Sequence, residues 1–149
     1  MNTHTDDDFL HSLFLLKSTL NTEFGKKTAS DDLSMPEYAL MRCLSMSNNF
    51  DDLTSIREFL AVTKASVSQM LASLEKRGLL VRETDPANRR NLIVTLTKDG
   101  EERLRKKEIQ VNLRLNELLA ALGEADALNF IALVNKMNTV LSAKKEEHE

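Results

Sequence analysis

The chain has little of the residue types that build tight turns, disulfides and metal clusters. Its 149 residues include one cysteine, two prolines, four glycines and no tryptophan. The single cysteine excludes an intrachain disulfide framework and a thiolate zinc cluster, and the three histidines lie near the chain ends without the spacing of metal ligands. Scarce proline and glycine favour long helices. We therefore expect one helix-rich domain, residues 1–149, with no metal and no cofactor.

The chain also lacks long apolar runs and catalytic motifs. No run of about 18 apolar residues is present, and the first residues carry three aspartates instead of the basic and then apolar segments of a secretory signal. A Gly-rich phosphate loop, a Ser/His/Asp set and a paired His/Cys set are all missing. We expect a cytoplasmic protein that has no membrane segment and is not an enzyme.

Apolar residues recur at helical spacing at both ends of the chain. A first helix, ending near Gly25, carries one apolar stripe, and a long helix that starts at 97–100 carries a heptad-like seam. Gly123 separates that long helix from a last one. The stripe consists of Phe9, Leu13, Leu16, Leu20 and Phe24, and the seam of Leu104, Val111, Leu115, Leu118 and Leu122. These helices can pack within one chain, but their apolar area favours a homodimer built from both chain ends.

The middle of the chain changes to shorter units. Ser34 and Glu37 form a capping-box pattern that starts a second helix. A helix of two turns with Ile56 and Leu60 follows, then a break at 61–63, then a longer helix that Gly78 ends. Apolar residues at alternate positions predict two strands, joined by a turn at 85–91; they are Leu79, Val81, Leu92, Val94 and Leu96. The fold class predicted is mainly α (α+β): a winged helix-turn-helix with a two-stranded wing.

The charge is unevenly distributed. The net charge is −3, but from 54 to 98 eight basic residues stand against four acidic ones, which leaves the rest of the chain at −7. Since phosphate neutralisation supplies much of the affinity for DNA, a basic centre between acidic flanks favours one cationic face.

Two segments in this centre have the chemistry of DNA contacts. The second helix of a helix-turn-helix enters the major groove, and here its first turns carry small and polar residues, with Gln69 able to pair with adenine edges. Helix capping alone would also produce such a start. Arg89 and Arg90 at the hairpin tip suit a narrow minor groove, although a charged tip can simply be solvated.

The run from Leu53 to Gly100 closely resembles the winged-helix core of the MarR family of bacterial transcriptional regulators. The most specific segments are V-T-K-A-S-V-S-Q, L-E-K-R-G-L-L-V-R, D-P-A-N-R-R and L-T-K-D-G. The resemblance implies an obligate homodimer that reads a pseudo-palindromic operator, usually as a repressor, with affinity modulated by a ligand or by oxidation. It implies a DNA-binding lobe at 34–100 and dimerisation helices at 6–25 and 101–143.

Carried over by position, the resemblance assigns the DNA contacts. The major-groove residues are Lys64, Ala65, Ser66, Ser68 and Gln69, and the minor-groove residues are Arg89 and Arg90. Weaker candidates for phosphate contact are Lys76, Arg77 and Arg82.

Three positions depart from the family pattern. Asn88 stands where an aspartate often orients the wing arginine, Arg57 where alanine is usual, and Ala61 where glycine is usual. Cys43 lies in the second helix, away from the first-helix position of oxidant-sensing relatives, and we expect a buried, inert thiol that does not gate DNA binding.

The residues leave two alternatives open. A winged fold can bind a polypeptide instead of DNA, but such a protein-interaction module would not need arginines at the hairpin tip. A pocket lined by Leu, Met and Phe would suit a small hydrophobic or aromatic effector, although ordinary core would have the same composition.

Overall fold

The computed structural model describes residues 3–25, 33–46, 53–87 and 92–146. Within these ranges six helices flank one antiparallel pair of strands, in the order of a winged helix-turn-helix, which confirms the predicted fold class. The elements are α1 (Thr3–Gly25), α2 (Met35–Met46), α3 (Leu53–Leu60), α4 (Lys64–Lys76), β1 (Leu80–Thr84), β2 (Leu92–Leu96), α5 (Lys98–Leu122) and α6 (Glu124–Glu146).

The chain divides into two compact units, Met1–Glu108 and Ile109–Glu149. Unit 1 contains the predicted DNA-binding lobe together with α1 and the start of α5, and unit 2 contains the rest of α5 and α6. None of the helices in the described ranges is both long and apolar enough to cross a membrane.

The core of unit 1 lies among α2, α3, α4 and the hairpin. In this unit α2 packs against α3 and β2, α3 against α4, and α4 against β1. On α4, Val67 and Leu74 are buried, whereas Met70 is only half-buried. The fully buried side chains are Leu33, Leu40, Met41, Ile56, Leu74, Leu79 and Leu80.

The two helices of the helix-turn-helix end in the same way. At the end of α3 the amide of Val62 donates to the carbonyl of Arg57 (3.1 Å), and the amide of Ala61 donates to that of Glu58 (3.1 Å). At the end of α4 the amides of Leu79 and Gly78 make the equivalent bonds. Both ends are Schellman motifs, which need a left-handed residue just after the helix. Gly78 (φ 71°) and Ala61 (φ 50°) occupy that position.

The sequence prediction for the first strand was wrong at Leu79. Leu79 and Val81 were both predicted to lie in the strand, but Leu79 precedes it, whereas Val81 lies within it and is 44% exposed. The reason is that the Leu79 amide closes the end of α4, so the pleat begins one residue later. Leu80 is the buried residue, and it pairs with Leu96 across the ladder.

A compact hydrogen-bonded junction joins the end of α4, the base of the wing and the start of α5. We call it the Thr97 knot; it consists of Gly78, Leu79, Thr97 and Gly100. The Thr97 hydroxyl donates to the carbonyl of Gly78 (2.7 Å) and accepts from the amide of Gly100 (3.1 Å). The Thr97 amide donates to the carbonyl of Leu79 (3.1 Å). A Cβ at Gly100 would lie 1.9 Å from that carbonyl oxygen, so only glycine fits.

Unit 2 is a helical hairpin that bends at Gly123. This residue has a φ of 80°, and its amide donates to the carbonyl of Leu119 (3.0 Å), which ends α5 at the predicted position. Ala127 is buried, but the seam residues Leu115, Leu118 and Leu122 are each 37–43% exposed. A large part of the apolar surface of unit 2 is therefore left uncovered by the single chain.

Candidate nucleic-acid interface

The start of α4 is fixed by its capping residue. Thr63 has extended backbone, and its hydroxyl accepts from the amide of Ser66 over 3.1 Å. The Thr63 and Ser66 hydroxyls are also hydrogen-bonded to each other (2.9 Å). Since an N-cap side chain satisfies one of the free amides of the first turn, this threonine defines where the helix begins. The Ser66 hydroxyl is thus part of the cap.

The first turns of α4 present polar and small side chains to solvent. Lys64, Ala65, Ser68 and Gln69 are exposed, and Ser66 is half-buried, whereas Val67 on the opposite face is buried. The structure therefore brings five of the seven sequence-predicted contact residues together on consecutive turns of one helix. Their hydrophobic neighbours anchor this helix in the core of unit 1.

The other two predicted residues, Arg89 and Arg90, lie outside the described residues, as does Asn88. The flanks of the hairpin are described. The ladder extends to the pair Thr84 and Leu92, and the Asp85 carboxylate accepts from the amide of Ala87 over 2.8 Å. This Asx turn begins the connection between the strands at the predicted place.

Two of the weaker phosphate candidates have carboxylate partners. The Arg77 guanidinium lies 2.9 Å from Oε1 of Glu37, and Arg82 Nε donates to Oε2 of Glu75 over 2.9 Å. The hydrogen bond from Arg82 lowers the pKa of Glu75, and the same bond raises the pKa of Arg82. Because these carboxylates offset the charge of both arginines, we keep only Lys76, which is exposed, as a phosphate candidate.

An open groove of about 510 Å³ runs between the N-terminal turn of α2 and α4. Sequence reasoning missed the part played by α2: Glu37 was recognised as a cap but not as a neighbour of α4. Arg77, 40 positions along the chain, gives no local signal of this contact. The groove is lined by Ser34, Pro36, Glu37, Val62, Ser66, Gln69, Met70 and Ser73.

The unusual residues Arg57 and Ala61 are accommodated without loss of the motif. Arg57 is half-buried and its carbonyl accepts one of the bonds that end α3, while Ala61 takes the left-handed conformation expected of the glycine that is usual there. The helix-turn-helix geometry is retained at a conformational cost confined to Ala61.

Cys43 is half-buried on α2, less enclosed than expected. Burial raises the pKa of its thiol, and the neighbouring Arg42 guanidinium acts in the opposite direction as the smaller effect. A raised pKa leaves less thiolate at neutral pH, which agrees with an unreactive thiol. In the described part of the chain, no three His, Cys, Asp or Glu side chains come together as a metal site.

Comparison with known proteins identifies a matching family and similar transcriptional regulators. Residues 33–92 match the MarR family. The transcriptional regulator HosA of Escherichia coli O111:H- is 37% identical over 107 residues, which cover 71% of this chain and 78% of HosA.

Solved structures of similar fold include the transcriptional repressor CouR bound to a 23-mer DNA duplex, at 26% identity and a TM-score of 0.74, covering 87% of this chain and 89% of CouR. BpsR of Bordetella bronchiseptica, whose DNA binding is regulated by 6-hydroxynicotinic acid, shares 23% identity with a TM-score of 0.75, covering 86% of this chain and 91% of BpsR.

Proposed function

Because this chain belongs to the MarR family of transcriptional regulators, with a DNA-binding winged helix, we propose that it is a ligand-responsive repressor that binds a pseudo-palindromic operator as a homodimer in the cytoplasm. The observation that carries this proposal is the exposed polar start of α4, capped by Thr63 and anchored by a buried apolar face. Exposed polar side chains at the start of such a helix are the ones that reach base edges in the major groove.

The roles within this surface follow from side-chain chemistry. Gln69 pairs with an adenine edge, which requires both an acceptor and a donor in one plane. Lys64 and the Ser68 hydroxyl contact phosphates, and Ala65 lets the backbone approach closely. Arg89 and Arg90 at the wing tip enter the minor groove, where the negative potential of narrow A/T-rich segments attracts guanidinium groups.

The proposed dimer is supported by apolar surface that the single chain leaves exposed. On α1, Phe9 and Phe14 are exposed, and in unit 2 Leu118, Leu128 and Phe130 are exposed. So many exposed large apolar side chains favour association, because soluble monomers rarely leave large apolar patches open. A dimer also supplies two copies of α4, which suits an operator with half-sites about 10 bp apart.

The proposals of repression and of an effector are based on the similar proteins. CouR is described as a repressor, and the DNA binding of BpsR responds to an aromatic acid. We therefore propose repression by occlusion of a promoter, relieved by a small hydrophobic or aromatic acid.

The experiment is selection of a preferred duplex from a randomised library, followed by titration of that duplex and a scrambled one across salt concentrations. Gln69→Ala should change the sequence preference, because it removes a base contact. Arg90→Ala should weaken binding to both duplexes and reduce the salt slope by about one unit, since one counterion fewer is released.

Lys136→Ala is the charge-matched control, because Lys136 is an exposed cation of α6 in unit 2. It should leave affinity and salt slope unchanged. The DNA proposal fails if no duplex is preferred and neither Gln69→Ala nor Arg90→Ala has an effect. Binding to a polypeptide would then be the better account of the winged fold.

A further inference from the structure

One carboxylate ties the N-terminal turn of α2 to the helix that reads DNA. Glu37 Oε2 accepts from both the amide and the hydroxyl of Ser34, each over 2.9 Å. Glu37 Oε1 accepts from the Arg77 guanidinium over 2.9 Å and from the Ser73 hydroxyl over 3.4 Å. The first oxygen caps α2, and the second holds the C-terminal half of α4.

This tie is largely shielded from water. The Glu37 side chain is only 12% exposed, and that of Arg77 is 28% exposed. A charge-assisted hydrogen bond in such surroundings is stronger and better oriented than one on an open surface. The link therefore fixes geometry, in contrast to exposed ion pairs such as that of Glu102 with Lys106.

The hydrogen bonds to Glu37 hold only the C-terminal half of the α4 face that borders the groove. Ser73 and Arg77 are one helical turn apart and make the contacts to Glu37. Ser66, Gln69 and Met70, nearer the start of the same helix, line the open groove. A change at the tie would rotate or shift the end of α4 that carries Gln69, because a helix moves as a rigid rod.

We propose that Glu37 is a positioning residue for sequence recognition: it sets the pose of α4 through Ser73 and Arg77 so that Gln69 meets the base edge. This inference rests on the proposed sequence-specific DNA binding. Base contacts demand closely held geometry, whereas phosphate contacts supply sequence-independent affinity. Loss of the tie should therefore reduce discrimination between sequences more than affinity for DNA in general.

The test variant is Glu37→Gln. Glutamine still fits the capping-box pattern, but its single acceptor oxygen cannot serve Ser34 and Arg77 together. The quantity measured is the ratio of dissociation constants for a scrambled duplex and for the duplex that wild-type protein selects from a randomised library. We expect this ratio to fall by at least about tenfold, comparable to a mismatched base pair. Affinity for the scrambled duplex should be kept or increased, since one negative charge is removed.

Arg77→Gln breaks the same tie from the other side and leaves the capping box intact. It should reduce the ratio to a similar extent while lowering affinity for the scrambled duplex or leaving it unchanged, because here a positive charge is lost. The two variants change the charge of the protein in opposite directions. If both lose discrimination between the two duplexes, the cause is positioning and not simple electrostatics. Either variant suffices if the other does not fold.

Ser34→Ala is the matched control. It removes the hydroxyl half of the capping box and weakens the start of α2, but it leaves both contacts from Glu37 to α4 in place. It should lower thermal stability and keep the ratio. If Glu37→Gln keeps the ratio of dissociation constants, the inference is wrong. An equal loss of affinity for both duplexes is one such result, and it would indicate lost folding instead of lost positioning. A wild-type protein that selects no duplex would instead overturn the proposed function, and the inference with it.

Discussion

Ala61 is the only non-glycine with positive φ among the residues that the structure describes. The left-handed conformation costs an L-residue about 1–2 kcal/mol, and glycine avoids that cost but loses about 0.5–1 kcal/mol of chain entropy on folding. Ala61→Gly should therefore raise the free energy of unfolding by about 0.5–1 kcal/mol, measured by chemical denaturation.

Ala72→Gly provides the opposite case. Ala72 is exposed in the middle of α4, where glycine should lower the free energy of unfolding by about 1 kcal/mol. If both substitutions destabilise the protein to the same extent, the left-handed conformation of Ala61 does not carry the cost assigned to it.

Local features at the residue scale were predictable, and distant ones were not. The capping box of Ser34 with Glu37 and the left-handed Gly78 follow from patterns within a few residues, and the structure confirms both. Arg77, the second partner of Glu37, is 40 positions away in the sequence. The left-handed conformation of Ala61 could not be predicted either, because alanine rarely adopts it. Chain topology decides such contacts.

At the scale of elements, α4 and β1 are joined by Glu75 and Arg82. The hydrogen bond from Arg82 holds the pKa of Glu75 below its ordinary value. A carboxylate whose pKa is lower in the folded state stabilises the fold above its unfolded-state pKa, and this contribution disappears as pH falls through the folded-state pKa.

A double-mutant cycle of Glu75→Gln and Arg82→Gln should therefore give a favourable coupling energy at neutral pH. Because the Arg82 and Glu75 side chains are 31% and 37% exposed, solvent screens the pair, so the coupling should be small and should weaken with salt. At a pH below the folded-state pKa of Glu75 the coupling should vanish. A coupling that stays the same in acid would show that the charge of Glu75 has no part in it.

The helices were predictable from apolar spacing, but the phase of β1 was not. Leu79 and Leu80 are both buried, one at the end of α4 and the other in the strand. An alternating pattern cannot show which of two adjacent leucines begins the pleat, because that depends on how the preceding helix ends.

For the whole molecule, the exposed seam of unit 2 predicts association. Leu118→Asp places a charge within this apolar seam, at a residue that is 43% exposed in the single chain. We expect it to shift the protein from dimer to monomer in sedimentation experiments, and the concentration dependence of the wild-type melting temperature should be lost in the variant.

Asn116→Asp introduces the same charge two positions earlier in α5, on a different side of the helix, where the residue is already polar and exposed. It should remain dimeric. A wild-type protein that is monomeric at all concentrations would contradict the proposed assembly. The apolar excess was visible in the sequence, whereas the effector was not, because an effector pocket and ordinary core share the same residue types.

The Thr97 knot makes the wing modular. The bond from the Thr97 hydroxyl to the carbonyl of Gly78 spans 19 positions and closes the hairpin into a loop at its base. We therefore expect insertions, deletions and exchanges at the far end of that loop to leave α4 and α5 in place, at a small cost in stability because the entropy of loop closure changes slowly with length. An exchange of the tip should thus change the groove preference, while the helices on either side of the knot keep their places.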